Sequence, residues 1–247
     1  MAQISRHYKN PPIQEAVCQI HFSHSPPLEK KRLEEMKTIW EADFPIQEFV
    51  ENKTVKHHID MEEVRSEVIT LGHKLICRSV DKKKLVQLAG SFVTVNHLAK
   101  YPGWNEGFRD LILEQTQKVF NYFKIDTVTQ IGLRYIDRIN IPQCPLNWQD
   151  WFETQLGLPK PFQRPGAKIQ FNFQNSLAKD LFANLTVVSV EPSSEGMSSV
   201  ILDLDILSKK PLKVSEVPAE LERVHKPHRL AFEAILKDNT RALFSPE

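Results

Sequence analysis

The chain has 247 residues, and a composition of 41% hydrophobic and 26% charged residues is that of a folded globular protein with one large or two small domains. Its 32 basic and 31 acidic residues leave a net charge of +1, which excludes a global electrostatic field that would attract nucleic acid or an anionic membrane. The sequence has three widely spaced cysteines and no C-x-x-C motif, which disfavours a disulfide framework and a zinc finger. It also has no apolar run long enough to span a membrane, so we expect a soluble protein of the reducing cytoplasm.

The chain is predicted to begin with a strand and a helix. In residues 13–22 apolar side chains alternate with polar ones, which predicts a half-buried strand. Ser25 and the two prolines after it are typical of a helix start, and apolar residues then recur at helical spacing as far as residue 44. The sequence therefore predicts a helix of about four turns after the first strand.

Residues 45–98 show little helical periodicity and many β-branched runs. Short polar gaps at residues 72–74 and 81–83 separate these runs, which favours antiparallel hairpins. An apolar stripe along residues 104–123 then predicts an amphipathic helix. The strand candidates between the two helices are residues 64–71, 75–80, 84–88 and 92–98.

The predicted strand at residues 130–142 carries charges that an ordinary buried strand does not tolerate. Two arginines on one face, Arg134 and Arg138, lie beside Asn140 and are able to clamp an anion or two carboxylates. Alternatively they are structural and pair with acidic side chains of the fold. We expect Arg134 to be structural and Arg138 to be available to a ligand. By alternation, one face of the strand carries Leu133, Tyr135, Asp137, Ile139 and Ile141, and the other carries Arg134, Ile136, Arg138 and Asn140. The acidic residues that could pair with the two arginines are Glu15, Glu67, Asp203 and Asp205.

The second half begins after Pro142 with a short helix and a proline-rich loop. Three strands are predicted at residues 168–173, 182–190 and 200–206, and an apolar stripe from Leu221 to Leu236 predicts a final helix. The fold class is therefore α+β, with mainly antiparallel sheets and three principal helices. Residues 1–142 are interpreted as an enlarged ferredoxin-like β-α-β(n)-α-β half, and residues 143–247 as a β-β-β-α half.

Five stretches resemble one known family, the sporadically distributed bacterial and archaeal family of uncharacterised proteins of about this length. They are residues 11–17 (PPIQEAV), 96–104 (NHLAKYPGW), 132–139 (GLRYIDRI), 202–205 (LDLD) and 232–233 (FE). The block at 134–139 is the most specific, and relatives often carry asparagine where this chain has Asp137. The family's patchy distribution implies horizontally moved genes, such as components of phage defence or toxin–antitoxin systems, and it implies no catalytic residue.

Motifs that carry catalysis are missing from the sequence, because it has no P-loop, no G-x-G-x-x-G, no G-x-S-x-G and no H-E-x-x-H. His225 and His228 share a helix face, and Asp203 and Asp205 share a strand face. Together they are weak candidates for a site of metal-activated water, if the helix packs over that strand. Pro227 is expected to interrupt the helix between the two histidines. We expect no cofactor.

Two kinds of partner remain open from the sequence. Basic residues on adjoining hairpins, with Tyr101 and Trp104 as stacking surfaces, would suit RNA. An exposed sheet or the loop at Trp148 and Trp151 would suit a protein partner encoded by a neighbouring gene. The expected function is that of a non-enzymatic binding component of a mobile bacterial system, with a metal-dependent hydrolase or nuclease, or an RNA-binding protein, as the alternative. The basic residues are Lys74, Arg78, Lys82, Lys83 and Lys84.

Overall fold

The structure is a computed structural model, and it describes residues 6–23, 29–59, 64–98, 100–153, 168–192 and 194–245, with the backbone alone for residues 52–71. The strands are β1 (Ile13–Phe22), β2 (Ile46–Ile59), β3 (Val64–Arg78), β4 (Lys84–Ala89), β5 (Phe92–Leu98), β6 (Thr127–Ile141), β7 (Gln170–Ala178), β8 (Leu181–Val190), β9 (Ser198–Ser208) and β10 (Leu212–Lys213). The helices are α1 (Lys30–Trp40), α2 (Arg109–Phe123), α3 (Trp148–Trp151), α4 (Val217–Ile235) and α5 (Asp238–Ala242).

Within the described residues these ten strands form one antiparallel sheet. The strand order is β2-β3-β4-β5-β1-β6-β9-β8-β7, and β10 pairs with the start of β6. Strand β6 is central, because it pairs with β1 on one side and with β9 on the other. The predicted α+β class with mainly antiparallel sheet is confirmed, and strands from both predicted halves contribute to the same sheet.

Strand β6 has the two faces that its sequence predicts. Leu133, Tyr135, Asp137, Ile139 and Ile141 are buried, whereas Arg134 and Asn140 are exposed. The buried face belongs to the single hydrophobic core, and helix α4 packs across it and across β9. Helix α1 packs on β3 and helix α2 on β5. None of the helices in the described ranges is long and apolar enough to cross a membrane.

Two local predictions are wrong, those for residues 72–74 and Pro227, and the helix predicted at residues 104–123 is present with an irregular first turn. Strand β3 continues through residues 72–74, where we predicted a turn, because it pairs along its whole length with β2 and Gly72 lies beside a bulge in that pairing. The helix predicted from residue 104 begins with a wide π-helical turn, Trp104–Phe108, in which Gly107 has a φ of 148°. Helix α4 continues through Pro227. Proline removes one hydrogen bond there, and packing on two strands keeps the helix intact.

Some of the sequence predictions fall outside the residues that the structure describes. They are the helix start at residues 25–27, the proline-rich loop before residue 168 and the side chain of Glu67.

Candidate ligand-binding cavity

A cavity of about 350 Å³ lies between the buried face of β6 and helix α4. The N-terminal segment, residues 6–13, and the segment before α2, residues 101–106, complete its walls. Four segments that are distant in the sequence therefore meet here. The volume is within the range of small-molecule sites in proteins, about 300–1,000 Å³.

Asp137 on β6 is one of the residues that line the floor of this cavity. Asp137 is 1% exposed, and neither of its side-chain oxygens has a hydrogen-bond partner among the described residues. Burial, with a smaller contribution from the charge of Asp203, raises its pKa to about 8. At neutral pH the side chain is therefore a neutral acid, with one hydrogen-bond donor and one acceptor that the protein leaves unused.

Aromatic rings form the walls. The indole of Trp104 stacks on the imidazole of His225, with centroids 4.1 Å apart and an angle of 7° between the planes. The ring of His228 lies 4.4 Å from that of Tyr135, and the hydroxyl groups of Tyr101 and Tyr135 are 2.9 Å apart. Burial lowers the pKa of both histidines to about 4, so both rings are neutral at pH 7.

A turn with a special backbone positions Trp104. Gly103 has a φ of 106° and a ψ of 157°, a region that is almost restricted to glycine. The indole nitrogen of Trp104 donates to the carboxylate of Glu222 on α4 at 3.2 Å, and Arg109 donates to the same carboxylate at 2.7 Å. This contact holds the segment before α2 against α4 and closes one side of the cavity.

Charged groups surround the mouth. Glu233 accepts a hydrogen bond from Tyr8 at 2.8 Å and pairs with Arg241 at 3.2 Å, so its charge is neutralised inside the fold. Arg229 donates to a backbone oxygen, that of Arg6, at 3.1 Å. No carboxylate of the described residues forms an ion pair with Arg229, which leaves a cation at the mouth for an anionic group.

The structure divides the sequence candidates between the two faces of the sheet. Tyr101, Trp104, His225 and His228 line the cavity. The other candidates lie on or near the opposite face of β6 and β9, and they are Arg134, Arg138, Asn140, Asp203 and Asp205.

On that opposite face Arg134 already has a carboxylate partner. Its guanidinium donates two hydrogen bonds to Asp203, at 2.7 and 2.5 Å. Arg138 donates to the backbone oxygen of Glu191 at 2.7 Å, and no carboxylate of the described part of the chain pairs with it. Asn140 accepts a hydrogen bond from Ser199 at 2.7 Å. Of these three candidates, Arg138 keeps most of its hydrogen-bonding capacity.

The four candidate metal ligands are not brought together. His228 packs on Tyr135 and bonds to the backbone oxygen of Leu204 at 2.9 Å, on the buried side of the sheet. Asp203 and Asp205 point to the other side, where burial raises the pKa of Asp205 to about 6. Across the described ranges no group of three or more His, Cys, Asp or Glu residues is placed to hold a metal ion.

Arg78 and the two tryptophans of α3, which were further candidates for partner contacts, are engaged within the fold. Arg78 pairs with Glu48 at 2.5 Å, which removes one cation from the basic hairpins. Trp148 is buried against Phe152, and the indole nitrogen of Trp151 donates to Gln143. The two tryptophans therefore anchor helix α3.

Sequence reasoning missed Asp137 as a candidate. The signal was present, because alternation placed a carboxylate on an otherwise apolar face beside Tyr135. Four of the stretches that carry the family resemblance also contribute to the cavity lining, at residues 11–13, 101–104, 135 and 137, and 232–233. No family model matches this chain, and no curated protein matches it significantly.

Proposed function

We propose that the protein is a non-enzymatic binding protein and that the cavity between β6 and α4 receives its ligand. One observation carries this proposal: Asp137 lines the cavity, and neither oxygen of its buried carboxyl group has a hydrogen-bond partner among the described residues. A buried polar group without a partner costs about 1–3 kcal/mol, so a ligand that bonds to it recovers free energy that folding leaves unused.

The surroundings of the two histidines support binding over metal-dependent hydrolysis. His225 is stacked on Trp104 and His228 is bonded to the backbone of β9, as expected of side chains that form the walls of a cavity. Asp203, a carboxylate that a metal site with these histidines would need, lies on the opposite face of the sheet, where it is bonded to Arg134. The basic hairpins remain the basis of the RNA-binding alternative.

The wider setting is part of the same proposal. The family resemblance supports a role as a component of a mobile system such as phage defence, acting with a protein partner encoded nearby. The free cysteines Cys18, Cys77 and Cys144 support a cytoplasmic location. We also propose that residues 1–142 and 143–247 are two helix-on-sheet or ferredoxin-like halves joined through β6 and β9.

Co-expression with the products of adjacent genes, followed by affinity purification, tests the function. We expect the wild-type protein to retain a partner, and Asp137→Leu and Trp104→Ala to release it while remaining folded. Arg32→Gln on helix α1, far from the cavity, is the matched control and should retain the partner. Arg138→Met reports whether the partner also contacts the opposite face of the sheet.

Metal analysis of the same purified protein distinguishes the enzymatic alternative. Stoichiometric zinc or manganese that is lost in a His225→Ala, His228→Ala double variant would overturn the binding proposal in favour of a hydrolase.

A further inference from the structure

We propose that the cavity binds a nucleoside monophosphate, with the base on Asp137 at the floor and the phosphate at Arg229 and Lys9 at the mouth. This inference rests on the binding function proposed above and names the class of ligand. It follows from three features of the cavity: the chemistry of its floor, the shape of its walls and the charge at its mouth.

The floor requires a group with a donor and an acceptor side by side. A neutral carboxylic acid offers one O–H and one C=O about 2.2 Å apart, and it complements a planar edge with the same spacing. The Watson–Crick edges of the nucleobases carry such adjacent donors and acceptors. An aliphatic ligand without a polar edge would leave both oxygens of Asp137 unbonded, as they are now.

The walls suit a flat ring. Trp104 and His225, which stack on each other, line the cavity together with the rings of Tyr101, Tyr135 and Phe232. Stacking of a base on an aromatic side chain contributes about 1–3 kcal/mol. Both histidines are neutral at pH 7, so the walls add no charge that would repel or attract an ionised ring.

The mouth suits an anion. Lys9 and Arg229 lie on this rim with Glu106 and Glu233. Glu233 pairs with Arg241 and Arg6, and Arg6 also pairs with Asp238. The charge of Arg229 reaches into the cavity, since it lowers the pKa of His225. A cationic ligand would meet these rim cations, whereas a phosphate would accept charge-assisted hydrogen bonds from them.

The experiment is calorimetric titration of the full chain with AMP, GMP, CMP and UMP, together with their four nucleosides, ribose 5-phosphate and inorganic phosphate. We expect at least one monophosphate to bind, and its nucleoside and ribose 5-phosphate each to bind about tenfold more weakly or worse. Binding of inorganic phosphate or ribose 5-phosphate as tight as that of every monophosphate would show a simple anion site and overturn the inference.

Matched variants locate the site. Asp137→Asn keeps an adjacent donor and acceptor and should bind within a few fold of wild type, whereas Asp137→Leu keeps a similar volume and should lose about tenfold or more. Arg229→Gln should weaken binding of the monophosphate and leave binding of its nucleoside unchanged, and Arg32→Gln should change neither. Thermal melts of each variant establish that it is folded. Wild-type affinity in folded Asp137→Leu would overturn the inference.

The outcomes separate this inference from the proposed function. If no monophosphate binds but Asp137→Leu releases the co-purified partner, the cavity is a binding site and the ligand class is wrong. If monophosphates do not bind and Asp137→Leu retains the partner, both proposals fail.

Discussion

The guanidinium of Arg134 on strand β6 donates two hydrogen bonds to the carboxylate of Asp203 on strand β9, at 2.7 and 2.5 Å. The two residues are diagonal neighbours, because Arg134 is directly opposite Asp205 in the register of the strands. The pair links the two strands at the centre of the sheet. Since the Arg134 side chain is 47% exposed, solvent screens the attraction, and the pair is worth less than a fully buried one.

We therefore expect Arg134→Met to lower the free energy of unfolding by about 1 kcal/mol. Arg138→Met, which loses one hydrogen bond to a backbone oxygen, should cost about 0.5 kcal/mol or less. Thermal or urea melts measure both values. A loss for Arg138→Met as large as that for Arg134→Met would show that Arg138 is structural too.

Tyr135, on the opposite face of the same strand, provides the comparison for these melts. It is buried, its ring contacts His228, and its hydroxyl group lies 2.9 Å from that of Tyr101. We expect Tyr135→Ala to cost about 3 kcal/mol or more, because it opens a cavity in the core. An effect below that of Arg134→Met would contradict the assignment of the two faces.

The buried histidines predict a loss of stability in acid. His225 has a pKa of about 4 in the folded protein, and about 6.5 is expected in the unfolded chain. Between these values the unfolded chain binds the extra proton, so stability falls as pH falls, by up to about 1.4 kcal/mol per pH unit for each such histidine. His225→Phe keeps a ring against Trp104 and removes this contribution.

Urea melts of wild type and His225→Phe at about pH 7.5 and about pH 5 measure the effect. The variant should lose less stability than wild type over that interval. Equal losses would mean that His225 is accessible to protons in the folded state.

The turn that positions Trp104 predicts a backbone effect. Gly103→Ala places a Cβ in a conformation that alanine rarely adopts, and it overlaps the Glu106 carboxylate, so we expect a cost of about 1–3 kcal/mol. Gly196→Ala is the control, because Gly196 has a φ of 75° but lies in the turn before β9 with open space around it. Both variants should lose stability, and only Gly103→Ala should weaken ligand binding. Unchanged binding in Gly103→Ala would show that this turn does not shape the cavity.

The sequence predicted local features well, because they depend on near neighbours. The two faces of β6 follow from an alternation of period two, and Arg134 pairs with one of its four candidate partners. The continuity of β3 was missed, because it depends on pairing with β2 rather than on the residues at 72–74. The amino-acid composition of a strand does not reveal which other strand pairs with it.

The cavity could not be predicted from the sequence, because it depends on the tertiary fold. Its walls come from segments that begin at residue 6 and end at residue 233, and only the folded sheet brings Tyr8, Trp104, Asp137 and Glu233 together. Alternation did place Asp137 on the buried face. Whether that carboxyl would find a partner depended on what helix α4 presents to it, and this is a tertiary property.

Ionisation of the buried Asp137 is expected to destabilise the folded protein as pH rises. Its pKa is about 8 in the folded protein, and about 3.9 is expected in the unfolded chain. Between these values the folded state binds one more proton, so the free energy of unfolding decreases with rising pH, by up to about 1.4 kcal/mol per pH unit. Asp137→Asn cannot ionise, and it retains all the histidines, so their opposite dependence cancels when the two proteins are compared. Urea melts from about pH 5 to about pH 8 should show the variant gaining stability relative to wild type by several kcal/mol. Parallel profiles would mean that Asp137 ionises as easily in the folded state as in water, and that its carboxyl is hydrated rather than held neutral at the cavity floor.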